Sequence, residues 1–450
     1  MPIGFDYGTA NCSVAQSVNG QVTPIAVEGT HTLIPSSLCA PSSETVSEYL
    51  FRILDIKPSD NLGESLLRRA ISENREEGLI VRDDDVKFGR EALALYLEDP
   101  KEVYYVKSPK SFLGAMGLRD MQLSFFEDLV CAMMANVRQR AENGLGREVN
   151  RTVIGRPINF LGRGGDASNI QAEGILKRAA HRAGFSDVEF QFEPVAAGLD
   201  FEASLTEDKI VLVVDIGGGT TDCSMLRMGP SYRGQIDRSA SLLAHSGQMV
   251  GGNDLDINTA FHRFMSEFGL GSETTGGLPM PNIQFWNSIA INDVQAQRAF
   301  YAHDNLGLLK SLHKESAEPQ KLARLVQLQR ETLGYAVVRE AEQSKIALSD
   351  SAHYHAHLDL LNEQLAIEVT ATQMEQAVSN PTEKIKRLVK EAIVESGIQP
   401  DVIYMTGGSA KSSFLTSAVK EVVPNTPIVS GNHFGSVTAG LARWAELIYR

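Results

Sequence analysis

Several things are scarce in this chain. Its 450 residues hold four cysteines, Cys12, Cys39, Cys131 and Cys223, scattered with no CxxC pair and no histidine partner at zinc spacing. That excludes a disulfide scaffold or zinc finger and points to reduced, buried thiols in a cytoplasmic protein. No apolar run approaches the ~18 residues of a membrane span. Asp6 breaks the only early apolar stretch, so no signal peptide is expected either. Positive charge is in deficit, with 42 Lys and Arg against 56 Asp and Glu, a net charge of −14. Such a balance argues against nucleic acid or an anionic membrane as partner, while leaving a local basic pocket open. There is no Gly-Lys dipeptide, and hence no GxxxxGK[ST] phosphate loop. What remains is 43% hydrophobic and 22% charged, ordinary for a globular chain of two or three domains.

Glycine is present where it is least expected. In "VLVVDIGGGTTDCSM", residues 211–225, a strand-like run ends in Asp215 and then loses its side chains for three residues. "IGFDYGTANCSV", residues 3–14, repeats the plan around Asp6. Aligned on the carboxylates, Asp6, Gly8, Thr9, Cys12 and Ser13 lie over Asp215, Gly217, Thr220, Cys223 and Ser224, with two extra glycines in the second loop. Glycine lets the backbone approach a bulky anion, and successive amides in such a turn form an anion-binding concavity. Thr9, Thr220 and Thr221 add hydroxyl donors. A carboxylate beside a phosphate needs a cation between them, so Asp6 and Asp215 make sense around a hydrated Mg²⁺. Two facing loops of this kind would clamp a triphosphate. The plainer reading of each is a tight hairpin with a buried aspartate.

Along the chain the pattern is mixed. Strands with an Asn19-Gly20 turn fill 2–40, "LIPSSLCA" among them. Helices follow over 44–80 and up to Pro100, and over 120–142. "RTVIGRPINF" reads as a strand, and the helix after it closes at Gly184. From 210 the plan restarts, with strands to about 250, a helix over 254–268, a loop at 270–283, helices over 286–348, strands at 353–369 and helices at 371–396. "DVIYMTGGSAKSSFLTSAVKEVV" gives strand, glycine turn and helix, and a terminal helix ends the chain. Two halves that each open on a hairpin around an Asp-Gly loop indicate a duplicated α/β architecture. "GRGGDA" at 162–167 fits a dinucleotide fingerprint loosely, but lies past its strand and has no acidic partner; a loop capping the helix at 168 explains it better. His353, His355 and His357 share one strand face, as metal ligands or as plain solvent-exposed residues. Phe285, Trp286, Phe300 and Tyr301 form either a partner surface or, the simpler reading, core.

Taken in order, "IGFDYGT", "FEPVAAG", "VVDIGGGTTD", "VGGNDLDI" and "MTGGSAKS" resemble the ATPase domain of DnaK-type heat-shock chaperones, within the actin-like ATPases, and most of all the shortened homologues of that family. The resemblance implies two duplicated lobes, each a mixed sheet flanked by helices with an inserted subdomain, and a nucleotide cleft between them. Lobe I would be 1–205 (core 1–37 and 116–205, insert 38–115), with helix 436–450 returning to it. Lobe II would be 206–435 (core 206–248 and 350–435, insert 249–349).

The same resemblance implies ATP or ADP with Mg²⁺ as ligands. Gly8, Thr9 and Ala10 would form the first phosphate loop, and Gly217, Gly218, Gly219 and Thr220 the second. Asp6 and Asp215 would face the metal, with Asp222 in support. Glu193 would orient or deprotonate the attacking water, unless it is only a helix-entry residue before Pro194. Lys110, aligned on "FLG", would neutralise charge on the γ-phosphate; Lys107 competes for that place. Gly251 and Gly252 would brace the phosphates. Glu342, Lys345 and Ser349 would meet the nucleoside, although alone they would read as a solvated helix face. Gly407, Gly408, Ser409 and Lys411 form a strand–helix turn suited to phosphate or ribose.

Two substitutions depart from the family: Asn253 stands for a glutamate, and Lys411 for an arginine beside adenine. Residues 44–80 and about 270–335 look longer than usual. The chain ends ten residues after Gly440, which leads one to expect no peptide-clamping domain. The expected function is a slow, cytoplasmic, monomeric ATPase whose lobes gate an unidentified protein partner or client. A small-molecule kinase or an actin-like filament protein is the alternative.

Overall fold

The computed structural model describes residues 1–160, 164–358, 365–431 and 435–449. Two antiparallel hairpins organise it. In the first, Ile3–Tyr7 pairs with Asn11–Val18, and Ile3, Phe5 and Tyr7 are wholly buried at alternate positions. Asn19 and Gly20 both take positive φ (51° and 76°) and turn the chain into Gln21–Ile25, as a two-residue hairpin loop requires. The first sheet runs Gln21–Ile25, Asn11–Val18, Ile3–Tyr7, Arg151–Arg156, Asp187–Phe192, with Leu33–Pro35 also on Asn11–Val18. The second runs Leu242–Gln248, Thr221–Met228, Lys209–Ile216, Val402–Thr406, Ile428–Ser430. In each, the hairpin partners are antiparallel and the two later strands add in parallel. Parallel addition needs a crossover, supplied by helices such as Asp120–Leu145 and Asp166–Arg182. The fold is α/β, with mixed sheets flanked by helices and one plan used twice.

Register corrects the loop alignment. Tyr7 pairs with Cys12, and Ile216 with Thr221, so both loops hold the same number of residues. The second loop has no extra glycines: Gly218 and Gly219 occupy the places of Thr9 and Ala10. Asp222, opposite Asp215, is the counterpart of Ser13, opposite Asp6.

Two further expectations change. "LIPSSLCA" is two strands, Leu33–Pro35 in the first sheet and Ser37–Ala40 in a separate three-stranded sheet with Lys87–Phe88 and Tyr104–Lys107. The chain breaks at Ser36. The helix expected over 254–268 is α-helical only over Gly252–Thr259; a wide π-turn (Ala260–Phe264) and a 3₁₀ turn (Met265–Phe268) follow. Ala260, Phe264, Met265 and Phe268 are all buried along this stretch. Phe285 and Phe300 are buried there too, with Trp286 and Tyr301 packed on them, so these rings are core and not a partner surface.

The core has three parts: one cluster in each half, and a third between them built from Val153, Val195, Val211, Val213, Val402 and Leu441. Helices Glu193–Glu202 and Ser436–Ile448 carry this third cluster and cross closely. A side-chain carbon on Gly440 would overlap the Ala196 carbonyl. Gly440→Val is therefore expected to cost at least about 3 kcal/mol, since two backbones must separate to admit it. Urea unfolding measures the loss; a midpoint within error of wild type would contradict the contact.

All four cysteines are buried and none is in a disulfide. Among the described residues no helix is long and apolar enough to cross a membrane.

Candidate functional site

The two glycine loops come from different sheets and meet. In each, the first glycine amide closes the turn, Gly8 N–H to Asn11 O at 3.1 Å and Gly217 N–H to Thr220 O at 2.9 Å. A Cβ on Gly218 would stand 2.8 Å from the Ala10 Cβ and 3.0 Å from its nitrogen. Only glycine permits that approach. A third glycine pair braces the second loop: Gly252 N–H donates to Gly217 O (2.9 Å) and Asn253 N–H to Gly218 O (2.7 Å). A Cβ on Gly251 would lie 2.8 Å from the Gly217 oxygen and the Gly219 nitrogen. Gly407, at φ +87°, closes the other side, where a Cβ would lie 2.6 Å from Asp215 Oδ1. Ser409 Oγ is 3.5 Å from Gly217 O.

Carboxylates crowd beneath these loops. Asp215 and Asp222 are buried, and Asp6 and Glu193 partly so. Burial pushes the Asp6 carboxyl up to about 7, Glu193 adding to the shift and Lys110 opposing it. Burial raises Asp215 well above the usual range, reinforced by Glu193, Asp222 and Asp6. Asp222 is raised to about 8, again chiefly by burial and then by Glu193, although the Ile158 amide donates to it at 3.0 Å. Among the described residues the cation paired with them is Lys110, whose Nζ is 2.6 Å from Glu193 Oε1 and 3.4 Å from Gly155 O. Four carboxylates around one ammonium, roofed by glycine loops, form a site in need of further positive charge. No three acidic, histidine or cysteine groups among the described residues stand close enough to ligate one ion directly. The donor set thus fits a cation held through its own water shell, as Mg²⁺ is held, and not a bare-ion cage.

The family model for Hsp70 protein matches residues 118–273. The Chaperone protein HscA homolog of Aliivibrio fischeri (strain MJ11) is 21% identical over 450 residues, all of this chain and 58% of that protein. Chaperone protein HscA of Edwardsiella ictaluri is 28% identical over 256 residues, 56% of this chain and 36% of the relative. The homolog from Rickettsia bellii is 26% identical over 269 residues, 60% of this chain and 38% of its own length. Residues 118–273 thus resemble an Hsp70 protein, and the chain is similar over its whole length to HscA chaperones. It spans 58% of the length of the relative that it matches end to end.

Away from the carboxylates, the chain gathers a second charged group. Lys107 Nζ lies 3.1 Å from Glu342, and Lys345 Nζ lies 2.7 Å from Asp256 and 3.4 Å from Gly252 O. The Lys107 ammonium holds Glu342 below the usual carboxylate range, burial working the other way. Burial lifts Asp256 to about 6 against the pull of Lys345. Lys110 and Lys107, three residues apart, therefore serve different places, the first with the carboxylates and the second with the helix Gly334–Ala347. Ser349 falls just beyond that helix and bonds back to Lys345 O at 3.0 Å. Gly408 and Lys411 bound the 3₁₀ turn after Gly407. Thr9 is half-buried in the first loop, and Thr220 is buried in the second.

Ser36 and Asp256 were not anticipated. Ser36 joins the first loop to the lysine segment: its N–H donates to Ala10 O (2.9 Å), its hydroxyl to Gly8 O (2.6 Å), and its carbonyl accepts from Ser108 N–H (2.7 Å). Asp256 lay in a quoted motif, yet only its pairing with Lys345 marks it. The histidine strand stays apart, exposed, with His353 Nδ1 3.0 Å from Glu368. "GRGGDA" begins at residues 162–163, outside the described residues; its end opens the helix Asp166–Arg182.

Proposed function

We propose that this domain binds Mg·ATP between the converging loops and hydrolyses it slowly, closure of its halves governing a protein partner or client. The contact of Gly218 with Ala10 carries this reading, because it lets loop amides from both halves face one polyphosphate. Asp6 and Asp215, with Asp222 behind them, would hold a hydrated Mg²⁺ through its waters. The ion would supply charge neutralisation at the phosphates. Glu342, Lys345, Ser409 and Lys411 would meet the nucleoside. Lys110 and Glu193 neutralise each other. An incoming γ-phosphate competes for the ammonium, which then opposes charge developing on phosphoryl oxygens. The Glu193 carboxylate so released can orient a water and take its proton.

Calorimetric titration of wild type and Gly218→Val tests the reading. The valine drives the loops apart, so Mg·ATP affinity is expected to fall at least about a hundredfold, some 2.7 kcal/mol, with circular dichroism unchanged. Equal affinity would remove the two-loop site.

A further inference from the structure

One short segment touches the opposite half twice and the carboxylate site of its own half once. In the strand Tyr104–Lys107, Tyr105 meets Tyr335 edge to face (5.4 Å, 89°), and Lys107 pairs with Glu342. Three residues on, Lys110 reaches Glu193. Tyr96, from the neighbouring helix Gly89–Glu98, stacks on Tyr105 (4.6 Å, 19°) and meets Tyr335 edge-on (6.0 Å, 81°). Its hydroxyl donates to Thr332 O at 2.6 Å. Tyr335 and Glu342 both lie on the helix Gly334–Ala347 of the second half. Beside these rings the two halves stand apart around a cavity of about 870 Å³, bounded by Leu97 and Lys101 on one side and Arg330 and Leu333 on the other. On the side of this cavity the tyrosines carry the contact.

Both ends of the contact are strained. Thr332, whose carbonyl takes the Tyr96 hydroxyl, has φ +56°, a conformation that a β-branched residue rarely adopts. Ser108, between Lys107 and Lys110, has φ +59°. Its buried hydroxyl has no hydrogen-bond partner among the described residues. Strain of this kind persists only where surrounding contacts impose it.

We propose that Tyr96, Tyr105 and Tyr335 form an aromatic clasp between the halves, and that the segment 104–110 presents Lys110 to the phosphates only while the clasp is shut. Tyr105 and Lys107 act as positioning residues for Lys110. This rests on the ATPase reading above. When the clasp parts, the strand leaves the helix Gly334–Ala347, Ser108 and Thr332 relax, and Lys110 is withdrawn. Hydrolysis is thereby tied to a closed cleft.

The test places spin labels at Glu76→Cys and Lys314→Cys, exposed sites in opposite halves; the four native cysteines are buried and will not compete. Tyr335→Leu and Tyr105→Leu remove the ring contact from either side, and Tyr105→Phe keeps it. Both leucine variants are expected to lengthen and broaden the inter-label distance. Release of a fluorescent ADP should quicken about tenfold, and single-turnover hydrolysis of bound ATP should slow by a similar factor, one decade each being a 1.4 kcal/mol effect. Tyr105→Phe should match wild type in all three. Unchanged distances in both leucine variants would dispose of the clasp. Longer distances with undiminished hydrolysis would break its link to Lys110. A wild type that binds no nucleotide would overturn the ATPase reading, while the distances alone would still judge the clasp.

Discussion

Glu193→Gln should slow single-turnover ATP hydrolysis at least about a hundredfold while leaving Mg·ATP affinity within a few fold, as expected when a positioned general base is lost. Glutamine keeps the shape, and its amide oxygen can still accept from Lys110 across the 2.6 Å contact. What disappears is the ability to take a proton from water. Affinity should persist because the residue opens the helix Glu193–Glu202 and belongs to neither glycine loop. Removing its charge also relieves Asp6, Asp215 and Asp222, all of which it pushes upward. Lys110→Ala is less clean. It leaves Glu193 with no counter-ion in a nearly dry pocket, a change that costs about 3–5 kcal/mol for buried pairs, so turnover and folding would fall together. Rapid-quench measurement under excess enzyme separates the cases. A Glu193→Gln variant hydrolysing at the wild-type rate would reduce the residue to the helix-entry role that Pro194 also suggests.

The legible parts of this fold were local. Alternating apolar residues ending in Asp and Gly gave both hairpins, and their recurrence gave the duplication, because strand period and glycine turns are short-range signals. The loop alignment failed because counting glycines ignores register: Ser13 and Asp222 correspond only once Asp6 and Asp215 are seen facing them. Lys107 and Lys110 were not separable in the sequence, since a bend at Ser108 sends them to different partners. Ser36 carried no signal; it looks like the middle of a strand until its neighbours join different sheets. The tyrosine clasp unites residues from positions 96, 105 and 335, and no periodicity connects such distances. The break in the helix at Ala260 was hidden for another reason. An α-helix and a π-turn bury the same apolar residues and differ only in winding.

Stability without ligand should fall as pH rises from about 4 to about 8, opposite to the usual behaviour of proteins rich in satisfied carboxylates. In the native chain burial raises the Asp6 carboxyl from 3.8 to about 7 and that of Asp222 to about 8. Below the unfolded value both states hold these protons, and their contribution is fully present. Between the two values the unfolded chain has released protons that the native state keeps, so each further pH unit costs up to about 1.4 kcal/mol per group. Above the folded values the groups are ionised and the penalty is complete. Asp254 and Asp256, each raised to about 6, act in the same direction. Mg·ATP should flatten the dependence, since a cation favours the ionised carboxylates, and its binding should release protons to the buffer. Asp215→Asn then separates two consequences of one charge. As pH rises the ligand-free variant should lose less stability than wild type, because an amide cannot ionise where burial disfavours a carboxylate. The melting shift produced by Mg·ATP should nearly vanish, because the ion's water shell has lost an anchor. Thermal melts at pH 6, 7 and 8, with and without Mg·ATP, measure both. A ligand-free wild type that grows more stable toward pH 8, or an Asp215→Asn variant that loses as much stability as wild type yet keeps its Mg·ATP shift, would mean that these carboxylates are already satisfied by the protein. The site would then have no call for a cation.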